Sequence, residues 1–219
     1  MKMNKTTLEI LKNFASINPS ALLKAGNLIN TKSVNNIIYA EAKLSEPLDA
    51  ELGLYDLGQF LGLMGIFSED AELEVKGSDL HVTNGRSNAK TDLADASVIV
   101  HPKSALTFPV ADVVFEMKKE EYDKIMKASA MMGLTQICFS NVNGKIVGKA
   151  VRADSDNNYS IEIADFAGKA SFDFYINCAN LKLIDGDYKV MISKLGAARF
   201  EGSLVNYIIA LEANSKYSD

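Results

Sequence analysis

The sequence is poor in the residues and runs that usually carry reaction or membrane chemistry. It has no apolar run of about twenty residues to span a bilayer, and Met1-Lys2-Met3-Asn4-Lys5-Thr6 lacks the apolar segment of a signal peptide. A cytosolic protein is therefore expected. Cysteine is scarce, and Cys138 and Cys178 both sit among apolar neighbours. That suits buried thiols in a reducing compartment and argues against a disulfide or a metal site. The two histidines, His81 and His101, have no Cys or second His at ligand spacing, which argues against zinc. No His-x-x-x-His pair, Gly-x-Ser-x-Gly elbow or Cys-x-x-Cys occurs. The nearest thing to a phosphate loop, Gly144-Lys145-Ile146-Val147-Gly148-Lys149-Ala150, is one residue short, lacks the Ser or Thr that would hold Mg²⁺, and lies in a hairpin pattern. Glu120-Glu121 and the Asp154, Asp156 pair read as a helix start and a polar turn. No catalytic residue, metal or cofactor is expected.

What is present is an ordinary globular composition: 219 residues, 47% hydrophobic, enough apolar material for two small cores. Proline is rare, and two of the four fall in Val100-His101-Pro102-Lys103-Ser104-Ala105-Leu106-Thr107-Phe108-Pro109. Proline fixes φ and biases its predecessor toward extended backbone, so this segment should run as a strap between two units. The expected domains are residues 1–107, including a linker at about 98–107, and residues 108–219. The same order of patterns, a helix, strands, a short helix and strands again, appears on both sides. The net charge of -5 argues against a nucleic-acid partner on a simple count. The distribution argues the other way, because acids gather in stretches such as residues 46–56 and 69–74 while lysines recur in the two long helix candidates.

The Thr6-Thr7-Leu8-Glu9 capping box predicts a helix over residues 7–17, with Leu8, Leu11, Phe14 and Ala15 inward and Lys12 outward, and with Lys5 flanking its start. Strands are predicted at 21–24, 28–32, 36–43 and 48–55, a short helix after Asp56 over 56–67, and strands at 71–76, 80–83 and 86–91. In the second half a helix over 119–132 buries Tyr122, Ile125, Met126 and Ser129 and turns Lys124 and Lys127 outward, with Lys118 and Lys119 at its start. Asn143-Gly144 predicts a hairpin joining 136–142 to 145–152. Strands at 159–164 and 169–176, a short helix at 178–183 carrying Lys182, and a strand pair at 188–194 and 198–211 complete the reading. The linker's apolar residues are too few for a core of their own. They should dock on neighbouring sheets and leave a groove.

Several colinear strings resemble the DNA polymerase sliding clamps of T4-like bacteriophages. They are Leu11-Lys12-Asn13-Phe14-Ala15-Ser16-Ile17-Asn18, Tyr39-Ala40-Glu41-Ala42, Tyr55-Asp56-Leu57 with Phe60-Leu61-Gly62, and Phe108-Pro109-Val110-Ala111. Gly144-Lys145-Ile146-Val147, Ala179-Asn180-Leu181-Lys182 and Gly196-Ala197-Ala198-Arg199-Phe200-Glu201-Gly202 continue the series to Asn206-Tyr207 and Ala210-Leu211-Glu212-Ala213.

The resemblance implies an α+β DNA-clamp fold: two similar β-rich domains with helices on one face, closing head to tail as a homotrimeric ring. It also implies duplex DNA through the ring, a replicative DNA polymerase on its outside, a clamp-loader ATPase, late-transcription factors, and residence in the cytoplasm of an infected bacterial host. Inner-helix lysines of the family map onto Lys5, Lys12, Lys118, Lys119, Lys124, Lys127 and Lys182. A partner pocket for an apolar peptide tail, near the linker, maps onto Tyr39, Leu106, Phe108, Pro109, Ile209 and Leu211. Where the family is expected to carry bulky apolar residues after an Arg-Ser pair, this chain reads Arg86-Ser87-Asn88-Ala89-Lys90-Thr91-Asp92, which implies a more polar subunit contact. The competing class is a non-enzymatic phage structural or assembly protein with no DNA role. A metal-dependent hydrolase built on scattered acids has nothing in its favour.

Overall fold

In the computed structural model, which describes residues 1–67 and 70–219, the chain divides into two units, Met1–Leu106 and Thr107–Asp219. The beginning of the second acidic stretch noted above, Glu69, lies outside the described residues.

The first unit opens with α1 (Lys5–Ile17), which buries Thr7, Ile10, Leu11, Phe14 and Ile17, a 3.6-residue stripe. Its cap is not the predicted Thr6. Asn4 takes that place, its side-chain oxygen accepting the Thr7 N–H at 2.8 Å, so Lys5 is the first helical residue. Thr7, which was not among the residues expected inward, is buried. The helix stops at Asn18, whose buried side chain is fully used. Its Nδ2 donates to the carbonyls of Lys32 (3.1 Å) and Val100 (2.8 Å), and its Oδ1 accepts from the Ser20 N–H. Then come β1 (Ala21–Leu23), β2 (Gly26–Lys32), β3 (Ile38–Leu48), β4 (Leu52–Leu54) and α2 (Leu57–Met64), which is capped by Asp56 as predicted. β1 pairs with β4, and β2 with β3. The predicted strand over 48–55 shrinks to β4 because β3 itself runs on to Leu48.

An antiparallel meander, β5 (Glu72–Lys76), β6 (Asp79–Asn84) and β7 (Ser87–Asp92), follows. Leu73, Leu80 and Val82 point inward while Glu74, His81 and Lys90 form a polar row on the other face, as the two-residue period requires. α1 packs on β2, β3 and α2.

The second unit comprises β8 (Val113–Met117), α3 (Lys119–Met132), β9 (Gln136–Val142), β10 (Lys145–Arg152), β11 (Ser155–Asp165), β12 (Ser171–Asn177), β13 (Tyr188–Ser193), β14 (Ala197–Glu201), β15 (Asn206–Ala210) and β16 (Lys216–Ser218). Strands order as β11-β10-β9-β12-β16 in one sheet, while β15, β14, β13 and β8 are hydrogen-bonded in that order. Asn143 and Gly144 both take positive φ, 52° and 77°, the backbone of a tight hairpin that matches strand twist. Gly133, at φ 64°, ends α3. α3 lies across β10 and β11, and the approach is close at Gly148, where a Cβ would sit 2.8 Å from the Cδ1 atoms of Ile125 and Ile163.

Two predictions fail here. The helix over 178–183 is a single 3-10 turn, Cys178–Asn180, and the strand over 198–211 is two strands separated by a turn in which the Gly202 N–H donates to the Val205 carbonyl. β8 and β16 were not foreseen.

Candidate functional site

The lysines singled out from the sequence fall into three environments. Lys5 and Lys12 on α1, and Lys124 and Lys127 on α3, are exposed and make no ion pair among the described residues. Both helices turn their apolar stripe inward, so the opposite face is left to these ammonium groups.

Lys118 and Lys119 are different. Lys118 Nζ donates to Asp187 Oδ2 at 2.9 Å, and Lys119 Nζ meets Asp123 at 2.5 Å and Asp185 at 3.3 Å. The peptide N–H of Lys119 donates to Asp187 Oδ1 (2.9 Å) and that of Lys118 to Glu121 Oε2 (2.8 Å). The Lys119 N–H, with the Lys118 ammonium, holds the Asp187 carboxyl below the usual carboxylate range, while Asp187 raises Lys118 and Asp123 raises Lys119.

Lys182 is a third case. It follows the 3-10 turn rather than riding a helix, and the Tyr122 hydroxyl donates to the neighbouring Leu181 carbonyl at 2.8 Å, which brings the segment beside α3.

Of the pocket residues, Tyr39 and Leu106 share a cavity of about 240 Å³ in the first unit. Ile38 and Pro102 add apolar wall, and Lys32 and Lys103 complete the lining. Its shape comes from the β2–β3 connection. The Ser33 hydroxyl accepts the N–H groups of Ile37 (3.1 Å) and Ile38 (2.9 Å), Asn36 sits at φ 58°, and Lys32 Nζ donates to Asn36 Oδ1 at 2.8 Å. The Tyr39 hydroxyl donates to Glu41 at 2.9 Å, and burial together with that carboxylate pushes the phenol up to about 12.

Phe108 and Pro109, in the second unit, are half-buried, and Leu211 lines a different cavity beside Lys194 and Tyr217. Ile209 is fully buried in β15, so it is a core residue and not part of an open wall. Sequence reasoning missed Lys32, Lys103, Asp185 and Asp187, since lysines and aspartates in turns look like routine solvated surface.

Neither thiol is disulfide-bonded. Burial pushes Cys138 up to about 11 and raises Cys178 as well, which leaves both as poor nucleophiles. Among the described residues no group of three His, Cys, Asp or Glu side chains is placed to hold a metal, and no helix is long and apolar enough to cross a membrane.

Comparison with known proteins agrees over the whole length. The family model described as DNA polymerase processivity factor matches residues 2–101, and the one described as gp45 sliding clamp, C terminal, matches residues 114–213. The sliding clamp of Escherichia phage RB69 is 39% identical over 226 residues, and that of Enterobacteria phage T4 is 37% identical over the same length, each covering 99% of both chains. Among solved structures, the A. fulgidus PCNA bound to the C-terminal region of FEN-1 superposes with a TM-score of 0.75 at 17% identity, covering 98% of both chains. A DNA polymerase sliding clamp from Pseudomonas aeruginosa gives 0.69 at 12%, covering 98% of this chain and 64% of that one.

Proposed function

This chain belongs to the sliding-clamp family of T4-like phages, the DNA polymerase processivity factors, and from that premise we propose that it works by encirclement. Three copies close head to tail, duplex DNA passes through the opening, and the replicative polymerase is held on the outside. The observation that carries the reading is the set Lys5, Lys12, Lys124 and Lys127: exposed, without an ion-pair partner among the described residues, and placed on the long helix of each unit in a chain of net charge -5. Ammonium groups that meet phosphates across water attract any base sequence alike. The negative charge elsewhere discourages duplex from adhering to other surfaces.

Processivity then follows from topology, because a tethered polymerase meets its template at high effective concentration and rebinds before it diffuses away. In this scheme no side chain of the clamp makes or breaks a bond, and a separate clamp-loading ATPase opens the ring in the host cytoplasm. β7 and β11 each lie at the edge of their sheet, and joining unlike edges of successive copies is a heterologous contact of the kind that generates a ring when the rotation closes. The cavity at Tyr39 and Leu106 is smaller than a small-molecule site of roughly 300–1,000 Å³ and suits the apolar side chains of a polymerase peptide tail.

Retention on circular DNA tests encirclement. After loading on a nicked circle, the clamp is expected to stay bound through a high-salt wash and to leave once the circle is linearised. A protein that leaves both forms alike overturns the reading.

A further inference from the structure

α3 rests on its sheet by a short stripe, in which Ile125 and Ser129 are fully buried. Ile125 drops into the notch at Gly148, which fixes where the helix sits. Apolar contact has no direction, however, and a single seat leaves a helix free to turn about its own axis. The directional bonds come from a segment with little regular structure, which begins with the 3-10 turn Cys178–Asn180 and runs on through residues 181–184. At the first turn of α3 the Tyr122 hydroxyl donates to the Leu181 carbonyl at 2.8 Å. Two turns later, about 10 Å along the axis, the Ser129 hydroxyl gives its proton to the Leu134 carbonyl at 2.6 Å. The Cys178 thiol is then the donor to the Ser129 oxygen, at 3.2 Å. The far side of the segment is bonded to the sheet. The Tyr207 hydroxyl of β15 accepts the Ile184 N–H at 2.9 Å, the Tyr188 hydroxyl of β13 donates to the Ile184 carbonyl, and both rings are buried.

We infer that residues 178–184 act as a splint that sets the roll of α3, and that Tyr122 is the positioning residue through which Lys124 and Lys127 are aimed. Tyr122, Ile125 and Ser129 share one face at i, i+3 and i+7, and Lys124 and Lys127 lie on the opposite side. A helix that rolls carries both ammonium groups off the line of the phosphates. Hydrogen bonds weaken steeply as their angle opens, so two of them on one face, two turns apart, hold the roll where apolar packing cannot. Burial pushes the Tyr122 phenol up, so it keeps the proton it donates. The inference rests on the reading of α3 as DNA-facing.

The test is duplex affinity across a salt series for the assembled clamp carrying Tyr122→Phe, which deletes one oxygen and keeps the ring. The plot of log affinity against log salt is expected to become shallower by up to about one unit, part of the loss produced by Lys124→Gln with Lys127→Gln. Once both lysines are replaced, Tyr122→Phe is expected to change the slope no further, an outcome that a general loss of stability would not produce. Tyr207→Phe loosens the splint from the sheet side and is expected to repeat the effect of Tyr122→Phe, with urea unfolding alongside to show that each variant is folded in the assay. Slopes equal to the parent's in both tyrosine variants, with the lysine pair shallower, overturn the inference and leave α3 on the DNA. A change from Tyr122→Phe that persists after both lysines are replaced overturns it as well. A slope that the lysine pair itself leaves unaltered takes α3 off the DNA and overturns both.

Discussion

The two long helices present exposed lysines in the same manner and reach their positions by different physics. α1 is anchored by its core stripe, with Phe14 and Leu11 fully buried, and its first turn carries no acid. α3 buries only Ile125 and Ser129 completely, leans on the gap left by Gly148, and is tied at its start by a web of carboxylates. Apolar burial involves no titrating group and is not screened by salt, whereas exposed ion pairs weaken as salt rises and as acid protonates their carboxylates. The first unit therefore holds its lysines on a rigid mount, and the second on one that responds to conditions.

The contrast is broken most directly by truncating the α1 anchor. Phe14→Ala is expected to cost the first unit about 3–5 kcal/mol, read by urea unfolding, while Met126→Ala, at a half-buried position of α3, costs clearly less. Equal losses would erase the distinction. Filling the gap under α3 comes next. Gly148→Leu places a side chain where even a Cβ meets Ile125 and Ile163, and should cost about 1–3 kcal/mol through overpacking, with amide exchange accelerating along α3 and unchanged in α1. The smallest effect concerns acid. Asp187 titrates below its ordinary value in the folded chain, so its contribution is complete above the unfolded carboxylate pKa of about 3.9 and fades as pH falls through the folded value. The Lys119 amide should lose exchange protection in that window, and Asp187→Asn should remove the pH dependence. α1 should show no counterpart.

Much of this was legible in the chain. The bounds of α3 and of the β9–β10 hairpin follow to the residue because Gly133 and Asn143-Gly144 are local signals, needing only the backbone freedom of a few residues. The start of α1 was misplaced because Asn4 and Thr6 both make good caps, and only the hydrogen bond from the Thr7 N–H to the Asn4 side chain decides between them. Lys182 was put on a helix because a few apolar residues cannot distinguish one turn from three. The pairing of Lys118 with Asp187 spans 69 residues and leaves no trace in local pattern, so all the lysines looked alike. Of the pocket candidates, Leu106 was singled out as a linker apolar residue without a core of its own and Tyr39 through the resemblance, whereas the place of Lys32 beside them depends on how the β2–β3 turn folds back.

Asn18 has a mechanical consequence. Its single amide nitrogen grips Lys32 and Val100, and each of those residues leads into one wall of the cavity at Tyr39 and Leu106. The gauge of that cleft is therefore fixed at the residue that caps the end of α1 and not by either wall. A peptide that wedges the walls apart pulls on the same rivet that finishes the lysine-bearing helix.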